Sequence, residues 1–345
     1  MLAAIFKGPG QMALEEIPTP HAGPGELLLK VGANTVCGTD VRILRGEKSA
    51  GIDRGVVLGH EIAGRIAEVG EGVKGYSEGD LCAVSPEVTC GICHYCLHGQ
   101  EHLCLDQSIV GYRINGGLAE YMLVPEQAVA RRNVIVAKKQ VPAEYLALAE
   151  PLSCVLNGLA QYKVFVGDTV LILGAGPIGL LHQSVVQLAG ASQVIVSDVS
   201  AGRRATAAAL GATTVVDPLS EDLGEIVKQA TDGRGADVVV ICIGRLELFA
   251  DSLKLVRKGG RVSAFAGFPA GGSVPIDPNL VHYGEITLTG ASNSRRENVV
   301  DAMRLIESGR IPAEQIVTHK FPLTDVIAGI DFSAGGEGIK VAIVP

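Results

Sequence analysis

The chain contains no tryptophan, and aromatic residues make up only 4% of its 345 positions. A surface that stacks the bases of single-stranded nucleic acid needs aromatic faces, so that class is disfavoured. Excess positive charge is also missing: 29 Lys and Arg stand against 37 Asp and Glu, a formal charge of −8. That balance leaves no basic stripe for a polyanion, and no nucleic-acid partner is expected. Hydrophobic content is high at 47%, yet no apolar run is long enough to span a bilayer. The opening residues, MLAAIFKGPG, carry a charge at Lys7 and lack the apolar stretch of an export signal. The expectation is a cytoplasmic protein with no membrane partner.

Cysteine is scarce except in one place. Cys90, Cys93, Cys96 and Cys104 follow a C-x2-C-x2-C-x7-C spacing. A closed set of four thiolates leaves no open coordination position, so it suits a structural Zn²⁺ site and not a catalytic one. Disulfides need an oxidising compartment, which the absent export signal disfavours. An iron–sulfur cluster of the bacterial ferredoxin type calls for a last gap of three residues and a following Pro; here the gap is seven and Leu105 follows. Four cysteines among Gly91, His94, Gly99 and His102 also sit in too polar a setting to be ordinary core residues. Cys82, Cys154 and Cys242 do read as small core residues.

The length suggests two domains. In the first third, short strands at 27–31, 62–69 and 81–84 alternate with glycine turns, as in a small β-barrel-like domain. Near residue 150 the pattern changes. Apolar strands at 169–173, 194–198, 215–216, 238–241, 260–264 and 286–288 alternate with helical stretches such as 178–188 and 201–210. That alternation predicts a doubly wound parallel α/β sheet. A helix over about 296–308 then leads to a strand-rich return ending at 340–344.

Gly174-Ala175-Gly176-Pro177-Ile178-Gly179 fits the G-x-G-x-x-G pattern, directly after one strand and at the start of a helix. The glycines serve the tight turn, close approach to a pyrophosphate and helix–strand packing; the helix N-terminus offers N–H groups to phosphates. Asp198, followed by Val199, closes the next strand nineteen residues after Gly179 and could bind both ribose hydroxyls of NAD. Its bland alternative is a helix N-cap. Arg203 and Arg204 lie just beyond and could favour the 2′-phosphate of NADP, so NAD is the expected cofactor and NADP the second choice.

A dinucleotide site implies hydride chemistry. Cys37, His60, Glu61 and Glu150 are ligand types of a catalytic zinc with an open position, although each taken singly has an ordinary structural reading. With C-G-T-D around Cys37, G-H-E at 59–61, the four-cysteine loop, G-G-x-A-E-Y at 116–121, E-P-L at 150–152 and the glycine loop in that order, the chain resembles the zinc-dependent medium-chain dehydrogenases over nearly its whole length. Glu61 and E-P-L make it most similar to the polyol (sorbitol-like) and L-threonine 3-dehydrogenase branch.

The resemblance implies a GroES-like, β-rich catalytic domain over 1–151, with 293–345 returning to it, and a Rossmann domain over 152–292. It implies two zinc ions, one structural and one held by Cys37, His60 and Glu61, with Glu150 bound directly or through water. If both carboxylates bind, the site carries one net negative charge, so one is expected to exchange during turnover. The expected reaction is NAD-dependent oxidation of a secondary alcohol in a polyol, sugar alcohol or sugar phosphate, with L-threonine the close competitor. A non-catalytic, zinc-stabilised nucleotide-binding protein is the alternative of another class. Thr39 matches the family's proton-relaying hydroxyl, and Glu61 and Glu150 complete the expected catalytic set. Arg42 stands where many members carry His, and a guanidinium cannot relay a proton. Weaker expectations are Ala266, Gly267 and Phe268 beside nicotinamide, Lys340 reaching a cofactor phosphate, and a homo-oligomer, dimer or tetramer.

The two cysteine sets predict different losses. Cys93→Ser lowers thermal stability or assembly first; Cys37→Ser abolishes turnover in a protein that still folds. Circular dichroism melts and zinc stoichiometry of both variants check this, and a Cys93→Ser protein of undiminished stability and assembly contradicts the structural role.

Overall fold

The structure is a computed structural model that describes residues 1–345. The chain divides into two compact units, one comprising Met1–Ser153 with Asn293–Pro345 and the other Cys154–Ser292. No helix is long and apolar enough to cross a membrane.

The Cys154–Ser292 unit is built on six parallel strands: β1 (Thr169–Leu173), β2 (Gln193–Ser197), β3 (Thr214–Val216), β4 (Ala236–Ile241), β5 (Val256–Ala264) and β6 (Thr287–Gly290). They lie in the order β3-β2-β1-β4-β5-β6, all ladders parallel. This is the Rossmann order, in which chain direction across the sheet reverses between β1 and β4. Every residue of β1 is buried, the expected result for a central parallel strand covered on both faces. Leu171, Ile195, Val239 and Val262 from four neighbouring strands meet in one core. At the opposite end of these strands, Asp168 pairs with Arg261 at 2.9 Å and Asp237 with Arg257 at 2.5 Å, which satisfies the charges that border the core.

The other unit is mostly antiparallel. Its seven-stranded sheet runs Val317–Pro322, Lys340–Val344, Leu27–Thr35, Glu61–Val69, Leu81–Val84 and Val134–Val136, with Tyr121–Val124 also pairing on Leu27–Thr35. The hairpin Leu2–Gly8 with Gln11–Glu16 and the small pair Glu87–Thr89 with Gln107–Ile109 complete the β structure. Two apolar cores fill it, one around Leu29, Ile66 and Met122 and one around Leu58, Leu118 and Ile343. Because Ile343 and Ala342 pair with Asn34 and Thr35, the last strand of the chain is integral to this sheet.

Candidate active site

Cys37 begins the site as the N-cap of the helix Gly38–Leu44, with extended backbone at φ −93° and ψ 150°. Asp40, at the third helical position, turns back: its Oδ2 accepts the Cys37 N–H at 2.9 Å. This reciprocal closure is a capping box with a thiol in place of the usual hydroxyl. The other Asp40 oxygen lies 3.4 Å from His60 Nδ1. Asp40 is 1% exposed, so one buried carboxylate fixes both the thiol's loop and the imidazole's orientation. A carboxylate on one ring nitrogen leaves the other for a metal.

His60 and Glu61 are placed by the turn at Gly59. Its φ is +93°, and a Cβ there would stand 2.6 Å from Asn34 Oδ1 and 2.9 Å from Leu118. Only glycine fits that backbone and that gap. Glu61 opens its strand directly opposite Thr35. Its carboxylate accepts the Thr35 hydroxyl, and Lys340 Nζ lies 2.7 Å from Oε1 and 2.6 Å from Oε2. Cys37, His60 and Glu61 thereby present ligand atoms within 4.8 Å of one another.

Glu150 stands outside that triad, in the first turn of the helix Ala149–Tyr162. Its carboxyl is 8% exposed. Burial raises its pKa to about 8, with the nearby Glu61 and Glu87 adding to the rise and His60 and Lys340 opposing it. Burial also works against the His60 imidazolium, but Tyr112, Asp40 and Cys37 beside it lift its pKa well above the ordinary histidine value. Glu150 and the His60 ring thus lie within electrostatic reach of one another and, respectively, of Glu61 and of the Cys37 thiol. With the Cys/His/Glu donor set, this fits a zinc ion that keeps an open position.

Lys340 does not present its ammonium to a phosphate. It is 3% exposed and committed to both Glu61 oxygens. Burial disfavours its charge, yet Glu61 and Cys37 hold its pKa above the ordinary lysine value. The expected surplus of negative charge at the metal-ligand set therefore overlooks a buried cation. Thr39 lies half-buried in the first turn of the Cys37 helix.

The four-cysteine loop closes on itself. Sγ–Sγ separations are 3.5 Å for Cys90–Cys104, 3.6 Å for Cys93–Cys96, 3.9 Å for Cys93–Cys104 and 4.0 Å for Cys90–Cys96. A tetrahedron of thiolates about 2.3 Å from a central zinc has edges of about 3.8 Å, so this set fits the ion. Backbone N–H groups of Ile92 and Cys93 point at Cys90 Sγ from 3.5 and 3.4 Å, and that of Cys90 at Cys104 Sγ from 3.3 Å. Such donors favour thiolate; backbone N–H groups of Cys96 and Leu105 bring Cys93 down to about 6. All eight cysteines are free.

In the Rossmann unit the glycine loop lies between β1 and the helix Pro177–Leu188, with Gly176 as N-cap and Pro177 and Ile178 opening the first turn. A Cβ on Gly179 would fall far inside contact distance of the Gly174 carbonyl, which is why the helix can lie so close to its strand. The only heavy atom within 4.0 Å of a Cβ on Gly176 is Arg203 Nη1, and Arg203 Nε is buried without a partner. Space beside Gly176 and a guanidinium facing it suit a phosphate. Asp198 is not a helix cap: Ser200 holds that place, accepting from Arg203 N at 3.4 Å. Asp198 instead accepts from Ala175 N at 2.7 Å and Ser200 N at 2.8 Å, fixing the acid against the glycine loop. Arg204 is engaged with Asp198 O at 2.7 Å and Asp217 at 2.9 Å. Val199 is exposed beside them. Ala266, Gly267 and Phe268 follow β5, and Ala266 N–H donates to Ile241 O at 2.9 Å, so this loop emerges at the same strand ends as the glycine loop.

Sequence reasoning missed several members. Asp40 lies inside the quoted C-G-T-D motif, but its turn back to Cys37 has no separate signal. Thr35, Glu87, Tyr112 and Lys48 carry no local signature; only the folded sheet gathers them.

Comparison with known proteins agrees with this geometry. A family profile described as "Alcohol dehydrogenase GroES-like domain" matches residues 23–134, and one described as "Zinc-binding dehydrogenase" matches 177–308. An L-threonine 3-dehydrogenase of Pyrococcus horikoshii is 37% identical over 326 residues, covering 93% of this chain and 91% of that protein. An erythritol/L-threitol dehydrogenase of Mycolicibacterium smegmatis is 31% identical over 360 residues, covering 100% and 98%. A zinc-binding dehydrogenase from Sinorhizobium meliloti, solved bound to NADP, superposes with a TM-score of 0.93 at 32% identity, covering 100% and 99%. The chain belongs to the zinc-dependent medium-chain dehydrogenase family.

Two predictions arise here. Lys340→Met strands the Glu61 carboxylate in the core and costs about 3–5 kcal/mol in urea unfolding, while Glu61→Gln combined with Lys340→Met recovers much of it. Additive losses would mean the two are not coupled. The second concerns Glu87, a buried acid whose pKa burial raises to about 7, partly offset by its hydrogen bonds with its own backbone N–H and Ser85. A raised carboxyl pKa favours the protonated fold, so this contribution is present below the unfolded pKa and is lost as pH rises from about 4.5 through 7. Glu87→Gln removes that loss: relative to wild type it gains on the order of 2–3 kcal/mol between pH 5 and 8. Parallel pH dependences of the two proteins would contradict it.

Proposed function

We propose that the chain oxidises a secondary alcohol of a short polyol, sugar alcohol or sugar phosphate to the ketone, with nicotinamide dinucleotide as hydride acceptor. The observation that carries this is the Cys37–His60–Glu61 triad, held by Asp40 on one side and Lys340 on the other. A purely structural or nucleotide-sensing protein has no use for an incompletely closed ligand set. L-threonine is the second reading, favoured by the extent of the match to L-threonine 3-dehydrogenases.

In this reading Cys37, His60 and Glu61 hold the catalytic zinc, Glu150 joins them directly or through water, and Cys90, Cys93, Cys96 and Cys104 hold the structural one. Zinc, when bound, supplies polarisation of the alcohol or ketone oxygen. The Asp40 carboxylate, 3.4 Å from His60 Nδ1, favours Nε2 as the ligating atom. Lys340 pairs with the Glu61 carboxylate from the other side. Thr39 Oγ1 accepts the substrate hydroxyl proton as it gives up its own; Arg42, always charged, cannot receive that proton, so it leaves by another group or by water. Gly174, Gly176 and Gly179, with the helix N-terminus, seat the pyrophosphate, and Asp198 receives the adenosine ribose as expected for NAD. Arg203 beside Gly176 favours phosphate and keeps NADP in the comparison. Ala266 to Phe268 line the nicotinamide end.

The exposed outer edge strand β6 supports a homo-oligomer.

The test is formation of reduced nicotinamide from NAD and from NADP over a panel of polyols, sugar phosphates and L-threonine, before and after chelation. The expected outcome is activity on at least one member, lost at least tenfold with chelator and restored by zinc. A protein holding two zinc ions per chain that oxidises none of the panel would instead be the non-catalytic nucleotide-binding protein.

A further inference from the structure

The helix Gly38–Leu44 and the loop after it carry two cations that the metal-ligand set does not use. Arg42 lies in the last turn of the helix, and Lys48 lies in the loop. The loop folds back on the helix: the Arg42 carbonyl accepts from the N–H groups of Glu47 at 2.9 Å and Lys48 at 3.2 Å. It is tied again at its far end, where Asp53 N–H donates to the Tyr112 carbonyl at 2.9 Å.

This anchoring sets Lys48 Nζ 4.8 Å over the Tyr112 ring. The same ring meets His60 edge-to-face at 5.5 Å. One buried aromatic ring thus separates the Lys48 ammonium from a ligand of the proposed metal. A half-buried lysine on an aromatic face retains its charge partly through cation–π attraction. The nearby acids are already engaged, Asp40 with Cys37 N–H and His60, and Glu61 with Lys340. Burial lowers the Lys48 pKa first and Arg42 second, while Cys37 and Asp40 pull the other way.

An ordinary explanation is that Lys48 merely balances the Cys37 thiolate. A divalent cation at the triad would take up that thiolate's charge. Arg42 and Lys48, near enough for their charges to act on each other, would then leave an excess of positive charge beside the site that an anion would offset. We propose that Lys48, assisted by Arg42, binds an anionic group of the substrate, a carboxylate or phosphate carried a few bonds from the alcohol that is oxidised. This rests on the dehydrogenase reading above and narrows its substrate class: a neutral polyol leaves the cation pair unanswered. A guanidinium and an ammonium together suit a carboxylate or phosphate, the first by its planar fork and the second as a point charge. The dinucleotide's own phosphates are the other source of the same chemistry, and the experiment separates them.

The zinc-loaded protein is assayed on erythritol against erythronate, erythritol 4-phosphate and L-threonine. In the wild type, kcat/KM for one anion-bearing probe exceeds that for erythritol by at least about tenfold. Lys48→Gln reduces this ratio about 10–100-fold, chiefly through KM for the anion, and Lys48→Arg retains most of it. KM for the dinucleotide does not rise. A ratio that Lys48→Gln leaves unmoved overturns the proposal. So does a rise in dinucleotide KM in its place, which would assign the charge to the cofactor. Calorimetric titration of the same anionic probes into wild type and Lys48→Gln needs no turnover. Lys48-dependent binding without oxidation would sink the dehydrogenase reading alone, and binding independent of Lys48 would sink this one.

Discussion

The buried contact between Glu61 and Lys340 is the constraint on which the catalytic unit depends. The two residues are 279 positions apart and meet with Lys340 Nζ within 2.7 Å of both carboxylate oxygens. Thr35 explains how. It lies opposite Glu61 on one side and opposite Ala342 on the other, so a single strand position sets the register of both neighbours. A slip of one residue in the last strand would turn Lys340 away from the carboxylate. The return of the chain after the Rossmann unit is therefore a chemical requirement as well as a packing one: it delivers the cation that pairs with Glu61.

That cation also changes how the surrounding acids behave. Thr35 and Lys340 satisfy the Glu61 carboxylate. Glu87 and Glu150 are pushed to about 7 and about 8 mainly by burial. Burial thus moves these two carboxyl groups toward neutral pH, with their charged neighbours adjusting how far. A divalent ion at the triad would favour ionisation of Glu150 as well, so the binding of metal and the release of a proton are linked there. The Cys37 loop, the His60 ring and the Glu61 strand converge on this region from three separate segments, each fixed by a local device: a capping box, a glycine turn and a strand pairing.

Much of the fold was legible because its causes are local. The fully buried run Thr169–Leu173 and the helix starting at Pro177 announce themselves by apolar periodicity and glycine spacing. The strands at Leu81–Val84 and Lys340–Val344 fall where the sequence places them. The hairpin Leu2–Gly8 with Gln11–Glu16 was not legible, since its second strand is only half-buried and polar at both ends. The site divides the same way. The candidate ligands Cys37, His60 and Glu61 could be named through motifs of the whole family, whereas the partner of Lys340 could not, because nothing near residue 340 points to residue 61. Asp198 was legible as an acid at a strand end, and its attachment to Ala175 N–H shows why the spacing matters: the same carboxylate positions the loop it serves.

The two ligand sets differ most in how they are assembled. Cys90 to Cys104 close within fifteen residues, with backbone N–H groups already directed at the sulfurs. A loop that short closes at small entropic cost and needs few distant contacts. The Cys37–His60–Glu61 set exists only after Leu27–Thr35 has paired with Glu61–Val69, and its charge is balanced only after Lys340–Val344 has joined the sheet. The four-thiol loop therefore gathers its sulfurs locally, while the triad draws on strands from distant parts of the chain. This fits a structural role for the conspicuous motif: a candidate site that keeps an open position is not sealed by its own loop. It has to be held open by elements from distant parts of the chain.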